Sequence, residues 1–148
     1  MLKRFAFVLF IPTLYALPIG PVPMNGEVSL SQQSERLTIT ASDQSLIHWK
    51  DFSLEPQETL QFIQPHSKAT VINQVIEAMP SRLMGRMEAN GQVILINPNG
   101  VLVGKDAIID TGSFIIFETF LIGSCFIFCA APLLIFSMRK AHWLKKNS

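Results

Sequence analysis

Apolar residues at every second position, interrupted about every ten residues by turn chemistry, constrain this chain more than any other feature. Glu27-Val28-Ser29-Leu30-Ser31 and Leu37-Thr38-Ile39-Thr40 place alternate side chains on one face, the period of a half-buried strand. Leu46–Trp49, Thr59–Ile63, Ala69–Ile76, Gln92–Ile96 and Val101–Val103 are further strand candidates, separated by Ser/Asp/Gln, Pro, Met-Pro-Ser and Asn-Pro-Asn-Gly breaks. Helical spacing is nowhere sustained between them. The pattern predicts an all-β body, and a sandwich, a barrel and a β-helix all satisfy it. Asn25-Gly26 and Asn90-Gly91 accept positive φ at both positions, so local chemistry predicts tight hairpins at these pairs.

Two segments stand apart from this body. Met1–Arg4 is a short basic start, Phe5–Leu14 an apolar run with Pro12 as breaker, and Ala16 a small residue where a signal peptidase would cut, so residues 1–16 read as an export signal. At the other end, Thr119–Met138 is 20 residues without a charge, followed at once by Arg139 and Lys140. A helix of that length, at about 1.5 Å per residue, spans the roughly 30 Å hydrocarbon core. The expectation is therefore a C-terminal hydrophobic helix within residues 114–148 that meets the membrane as a span, its basic end retained on the cytoplasmic side and the body facing the periplasm or the outside. Cys125 and Cys129, the only cysteines, fall inside this run and read as packing residues, so no disulfide framework staples the body.

Charge and motif searches exclude several functions. Between Leu17 and Ser113 six basic and ten acidic residues leave a mildly acidic body, without the clustered Lys and Arg that nucleic acid requires. Gly100–Lys105 is a near miss for a phosphate loop, its glycines one residue too close and Asp106 standing where a Ser or Thr would bind magnesium. His48, His66 and His142 lie in different segments, no Gly-x-Ser-x-Gly elbow occurs, and no metal, cofactor or catalytic residue is assigned. Glu55 and Glu58, on either side of Pro56, read as solvated surface acids rather than an acid-base pair. The chain does not read as an enzyme.

A longer ordered series decides among the β architectures. Ile47-His48-Trp49, Phe52, Gln61-Phe62-Ile63-Gln64-Pro65 and Val71-Ile72-Asn73-Gln74-Val75 lead into Pro80-Ser81-Arg82-Leu83-Met84-Gly85 and then Ala89–Gly104. Together they resemble the N-terminal secretion domain, or haemagglutination activity domain, of filamentous-haemagglutinin-like exoproteins over roughly Val28–Gly112. The resemblance implies a right-handed parallel β-helix over residues 17–113, no cofactor, and a two-partner secretion system of Gram-negative bacteria. In such a system the periplasmic recognition modules of an outer-membrane two-partner transporter bind the domain and pass the exoprotein outward. A full-length adhesin of this kind would meet the host-cell surface.

The resemblance also carries the family's turn motif onto Asn97, Pro98 and Asn99, with Gly100 completing it, as a partner-recognition or purely structural turn. Pro98 fixes its own φ and disfavours helix at Asn97, while Asn99 and Gly100 tolerate left-handed geometry. An Asn-rich turn of this kind is expected to expose amides that can bind a partner's backbone while also satisfying local groups. The match stops near Ser113, where the family would continue with β-helical repeats. A truncated or frameshifted exoprotein is one expectation from that stop, and a membrane-anchored periplasmic interaction or structural protein is the other.

Overall fold

The computed structural model describes residues 17–118 and the backbone of residues 136–138. It is an all-β parallel solenoid of about four turns. Strands β1 (Val22–Asn25) and β2 (Val28–Gln33) precede the first rung, made of β3 (Arg36–Ala41), β4 (Ser45–Trp49) and the bridge residue Leu54. The second rung is β5 (Thr59–Ile63), β6 (Thr70–Val75) and β7 (Ser81–Leu83). The third is β8 (Arg86–Ala89), β9 (Gln92–Ile96) and β10 (Val101–Val103), and the fourth contains β11 (Ile108–Asp110) and β12 (Ser113–Phe117).

Each rung lays its strands in parallel register on the rung before it, giving three faces. One face stacks β4, β6, β9 and β12, a second stacks β3, β5, β8 and β11, and a third stacks Leu54, β7 and β10. The period-two pattern sorts the side chains. Residues in phase on successive strands meet inside, as in the columns Leu37–Leu60–Met87 and Ser45–Val71–Val93–Phe114. Trp49, Phe52, Phe62, Phe114 and the aliphatic residues around them are fully buried, each large side chain contributing about 1.5–3 kcal/mol of transfer free energy. Trp49 meets Phe52 edge to face, with ring centroids 5.4 Å apart.

The ends are protected by antiparallel strands. β1 pairs with β4 and β2 with β3, so both main faces of the first rung are covered, and β13 (Phe136–Met138) pairs antiparallel with β12. This corrects the expected helix at its last three residues, which are strand. The rest of the expected C-terminal hydrophobic helix, with Cys125 and Cys129, lies outside the described residues, as do the export signal at 1–16 and His142. Among the described residues no helix is long and apolar enough to cross a membrane. The body boundary read at Ser113 falls on the first residue of β12, and the ladder runs on to Phe117.

Neither Asn-Gly pair makes the hairpin its local chemistry predicts. β1 and β2 lie in different sheets, and so do β8 and β9, so both pairs are corners. The tight hairpin is instead β2–β3, where Gln33 faces Arg36 and Ser34 takes the left-handed conformation at φ 49°. At the second corner the fold has no room for a side chain on Gly91. A Cβ there would lie 2.6 Å from the Ala69 carbonyl oxygen and 2.8 Å from the Gln64 amide. Gly91→Ala is therefore expected to destabilise the solenoid by about 1–3 kcal/mol, measured as a lower midpoint in urea with an unchanged slope.

Candidate functional site

The only residues that the sequence singles out for a functional role are Asn97, Pro98, Asn99 and Gly100, which form the corner between β9 and β10. β9 carries Val93 and Leu95 inward, and Asn97 continues that phase, so its side chain enters the interior and is fully buried. Pro98 and Asn99 are exposed. Gly100 closes the turn at φ 102°, its N–H donating to the Asn97 carbonyl at 3.2 Å.

The Asn97 amide is used completely within the chain. Its Nδ2 donates to the Met79 carbonyl at 3.0 Å and to Ser81 Oγ at 2.9 Å, while its Oδ1 accepts from the Asn99 N–H at 2.9 Å. Its backbone N–H donates to the Phe117 carbonyl at 3.0 Å, joining the corner to the last rung. Asn99 Nδ2 donates to the Glu77 carbonyl at 3.0 Å and to Asn97 Oδ1 at 3.2 Å. Both amides thus satisfy local groups, and of the two only Asn99 lies at the surface. Both asparagines direct their Nδ2 groups onto the segment Ile76–Pro80 of the preceding rung, and the Ser81 N–H returns a bond to the Gly100 carbonyl at 3.0 Å. Glu118 Oε1 accepts from the Val101 N–H at 2.6 Å.

A second polar corner, at 64 and 90, is built the same way and was not singled out by the sequence. Asn90 exchanges two bonds with the Gln64 backbone, its Oδ1 accepting at 2.7 Å and its Nδ2 donating at 2.6 Å. Gln64 Nε2 donates to the carbonyls of Ala69 at 2.7 Å and Gln92 at 3.0 Å, and its Oε1 accepts from the Gly91 N–H at 3.1 Å. Deeper still, Asn73 Oδ1 accepts from Trp49 Nε1 at 2.9 Å. The Gln64 and Asn90 amides bond backbone groups where the chain turns, whereas Asn73 lies within β6 and holds a buried side chain.

The remaining candidates are placed without bringing chemistry together. Glu58 corrects its reading as a solvated acid: it is fully buried, with Oε2 accepting from the Glu55 N–H at 2.8 Å, a bond that closes the Glu55–Glu58 turn. Glu55 is partly exposed. His48 faces outward from β4, and His66 Nε2 lies 4.0 Å from Asp43 Oδ2 at the surface. Within Gly100–Lys105 the central residues Val101–Val103 form strand β10 rather than a continuous loop. Among the described residues no group of three or more His, Cys, Asp or Glu could hold a metal ion. An open groove of about 440 Å³, lined by Glu27–Ser29, Thr40–Ser42 and Ile63–Pro65, shares no residue with the Asn97 corner.

Known proteins resemble this chain in structure and in sequence. The crystal structure of the HMW1 secretion domain from Haemophilus influenzae matches with a TM-score of 0.66 and 36% identity, over 70% of this chain and 28% of that one. A heme/hemopexin-binding protein of Haemophilus influenzae is 36% identical over 84 residues, 55% of this chain and 9% of that protein. The heme/hemopexin-binding protein of Haemophilus influenzae strain Rd is 32% identical over 92 residues, 62% of this chain and 10% of its own length. The chain therefore spans about a tenth of the length of these two relatives. The profile of the TPS secretion domain covers residues 15–117, the whole solenoid from its cap to β12, and the chain belongs to that two-partner secretion family.

Proposed function

We propose that the solenoid is the secretion-recognition module of a filamentous-haemagglutinin-like exoprotein, read by the periplasmic modules of an outer-membrane two-partner transporter. The observation that carries this reading is the extent of the family match, residues 15–117, which takes in every rung and the Asn97–Gly100 corner. The basic start and apolar run of residues 1–16 supply the delivery step across the inner membrane. The winding is right-handed in this reading, as the resemblance implies. The two relatives are named for binding heme and hemopexin; the segment they share with this chain is about a tenth of each, so export is the role carried over. An adhesin activity belongs to the longer exoproteins of this kind. The corner at Asn97–Gly100 is the recognition element.

Co-expression of the full chain with its cognate transporter tests the reading directly. Protein outside the cell is expected only when the transporter is present, and release independent of it overturns the role.

The two asparagines are expected to separate folding from recognition. Asn97→Ala leaves the Met79 carbonyl, Ser81 Oγ and the Asn99 N–H without their buried partner, a loss of about 2–4 kcal/mol, and is expected to abolish secretion by unfolding the corner. Asn99→Ala removes bonds at the surface and is expected to cost about 0.5–1.5 kcal/mol. Secretion of the Asn99 variant, followed beside its thermal melt, is the decisive measurement. Wild-type secretion with a nearly wild-type melt would return the corner to a purely structural turn.

A further inference from the structure

We infer that the contact surface at this corner is the segment Ile76–Pro80, which Asn97 and Asn99 hold in place, rather than the asparagine amides themselves. The inference rests on the secretion-recognition reading and names the residues that would meet the transporter. Two donors of the motif are already committed: Asn99 Nδ2 to the Glu77 carbonyl and Asn97 Nδ2 to the Met79 carbonyl. What they fix is a run of five consecutive exposed residues, Ile76-Glu77-Ala78-Met79-Pro80. Its two large apolar side chains are presented to solvent, Ile76 at 56% and Met79 at 57% exposure. Leu102, on the next rung and beside Arg82 in register, is exposed to the same degree, 57%.

This arrangement is costly for a surface with no partner. Two anchored carbonyls give the segment a fixed shape, and a fixed, exposed apolar segment loses little further entropy when it docks. Glu77 is the one charged residue within 76–80, and no ion pair to it occurs among the described residues. The body around it is acidic, with six Lys or Arg against eleven Asp or Glu across residues 17–118. The complementary partner is a periplasmic module of the transporter that offers an apolar cleft for Ile76 and Met79 and a basic side chain opposite Glu77.

The test is binding of the purified full-length chain to the purified periplasmic modules of the cognate transporter. Ile76→Ser combined with Met79→Ser is expected to weaken binding at least tenfold while moving the melting temperature by no more than about 3 °C, since both side chains are more than half exposed. Glu77→Lys, which needs no repacking, is expected to weaken binding and to reduce its salt dependence. Because Asn99 acts through the segment, Asn99→Ala added to the double variant is expected to cause no further loss. Wild-type binding that persists in the double variant and in Glu77→Lys overturns the inference and leaves transporter recognition standing. Absence of wild-type binding overturns both. Concentration-dependent self-association of the wild type that the double variant abolishes would make the occupant a second copy, and so also overturns it.

Discussion

At every corner of the solenoid the backbone leaves the parallel ladder, and the hydrogen bonds lost there must be replaced inside a nearly dry interior. The requirement is quantitative. A buried backbone group without a partner costs about 1–3 kcal/mol, and a domain of this size has only about 5–15 kcal/mol to lose, so a few unmet corners would dissolve the fold. The chain meets the requirement with side-chain amides. Gln64 serves Ala69, Gln92 and Gly91, Asn90 serves both backbone groups of Gln64, and Asn97 serves Met79 and Asn99. Glycine completes the device where the backbones approach too closely for a Cβ, as at Gly91 and at Gly112, whose N–H donates to the Gly91 carbonyl at 2.9 Å.

The same constraint explains what alternation reveals and what it hides. Runs such as Arg36–Ala41 and Thr70–Val75 are long enough for period two to emerge, and their strands form where the pattern places them. β7, β10 and β11 have three residues each, and of these only Val101–Val103 is apolar enough to be read as a strand. β12 was hidden differently: Phe114-Ile115-Ile116-Phe117 merges with the apolar run behind it, so its alternation of buried and half-buried residues is invisible without the ladder. Asn-Gly at 90–91 misleads because the positive-φ tolerance that suits a hairpin equally suits a corner between sheets, and only the partner strand distinguishes them.

For the Asn97–Gly100 corner, the resemblance supplied the location and the period of the strand supplies the placement of each side chain. Asn97 follows Val93 and Leu95 in phase and must point inward; Asn99, across a proline turn, lies at the surface. Gln64 follows Leu60 and Phe62 in the same way, and Asn73 lies between Val71 and Val75. A polar amide in the buried phase of a strand was therefore a legible signal that an interior backbone group needed a partner. Glu58 was not legible in that way. Beside Pro56 in a polar stretch it resembles any surface acid, and its burial follows from the turn it closes onto the Glu55 N–H.

A stack of this kind is close to one-dimensional, since each rung touches only its neighbours and stability is a sum of rung and interface terms. What such a stack needs is a first template, and the antiparallel strands β1 and β2 provide it. They cover the edges of β4 and β3 that face away from the second rung, and leave the opposite edges open for β6 and β5. No residue from 17 to 118 is a cysteine, so nothing covalent fixes one rung to another. Each added rung gains the full ladder and its interior column at once, and each rung removed loses only those. The stability of the solenoid is therefore a sum accumulated rung by rung on the template that the capped end supplies.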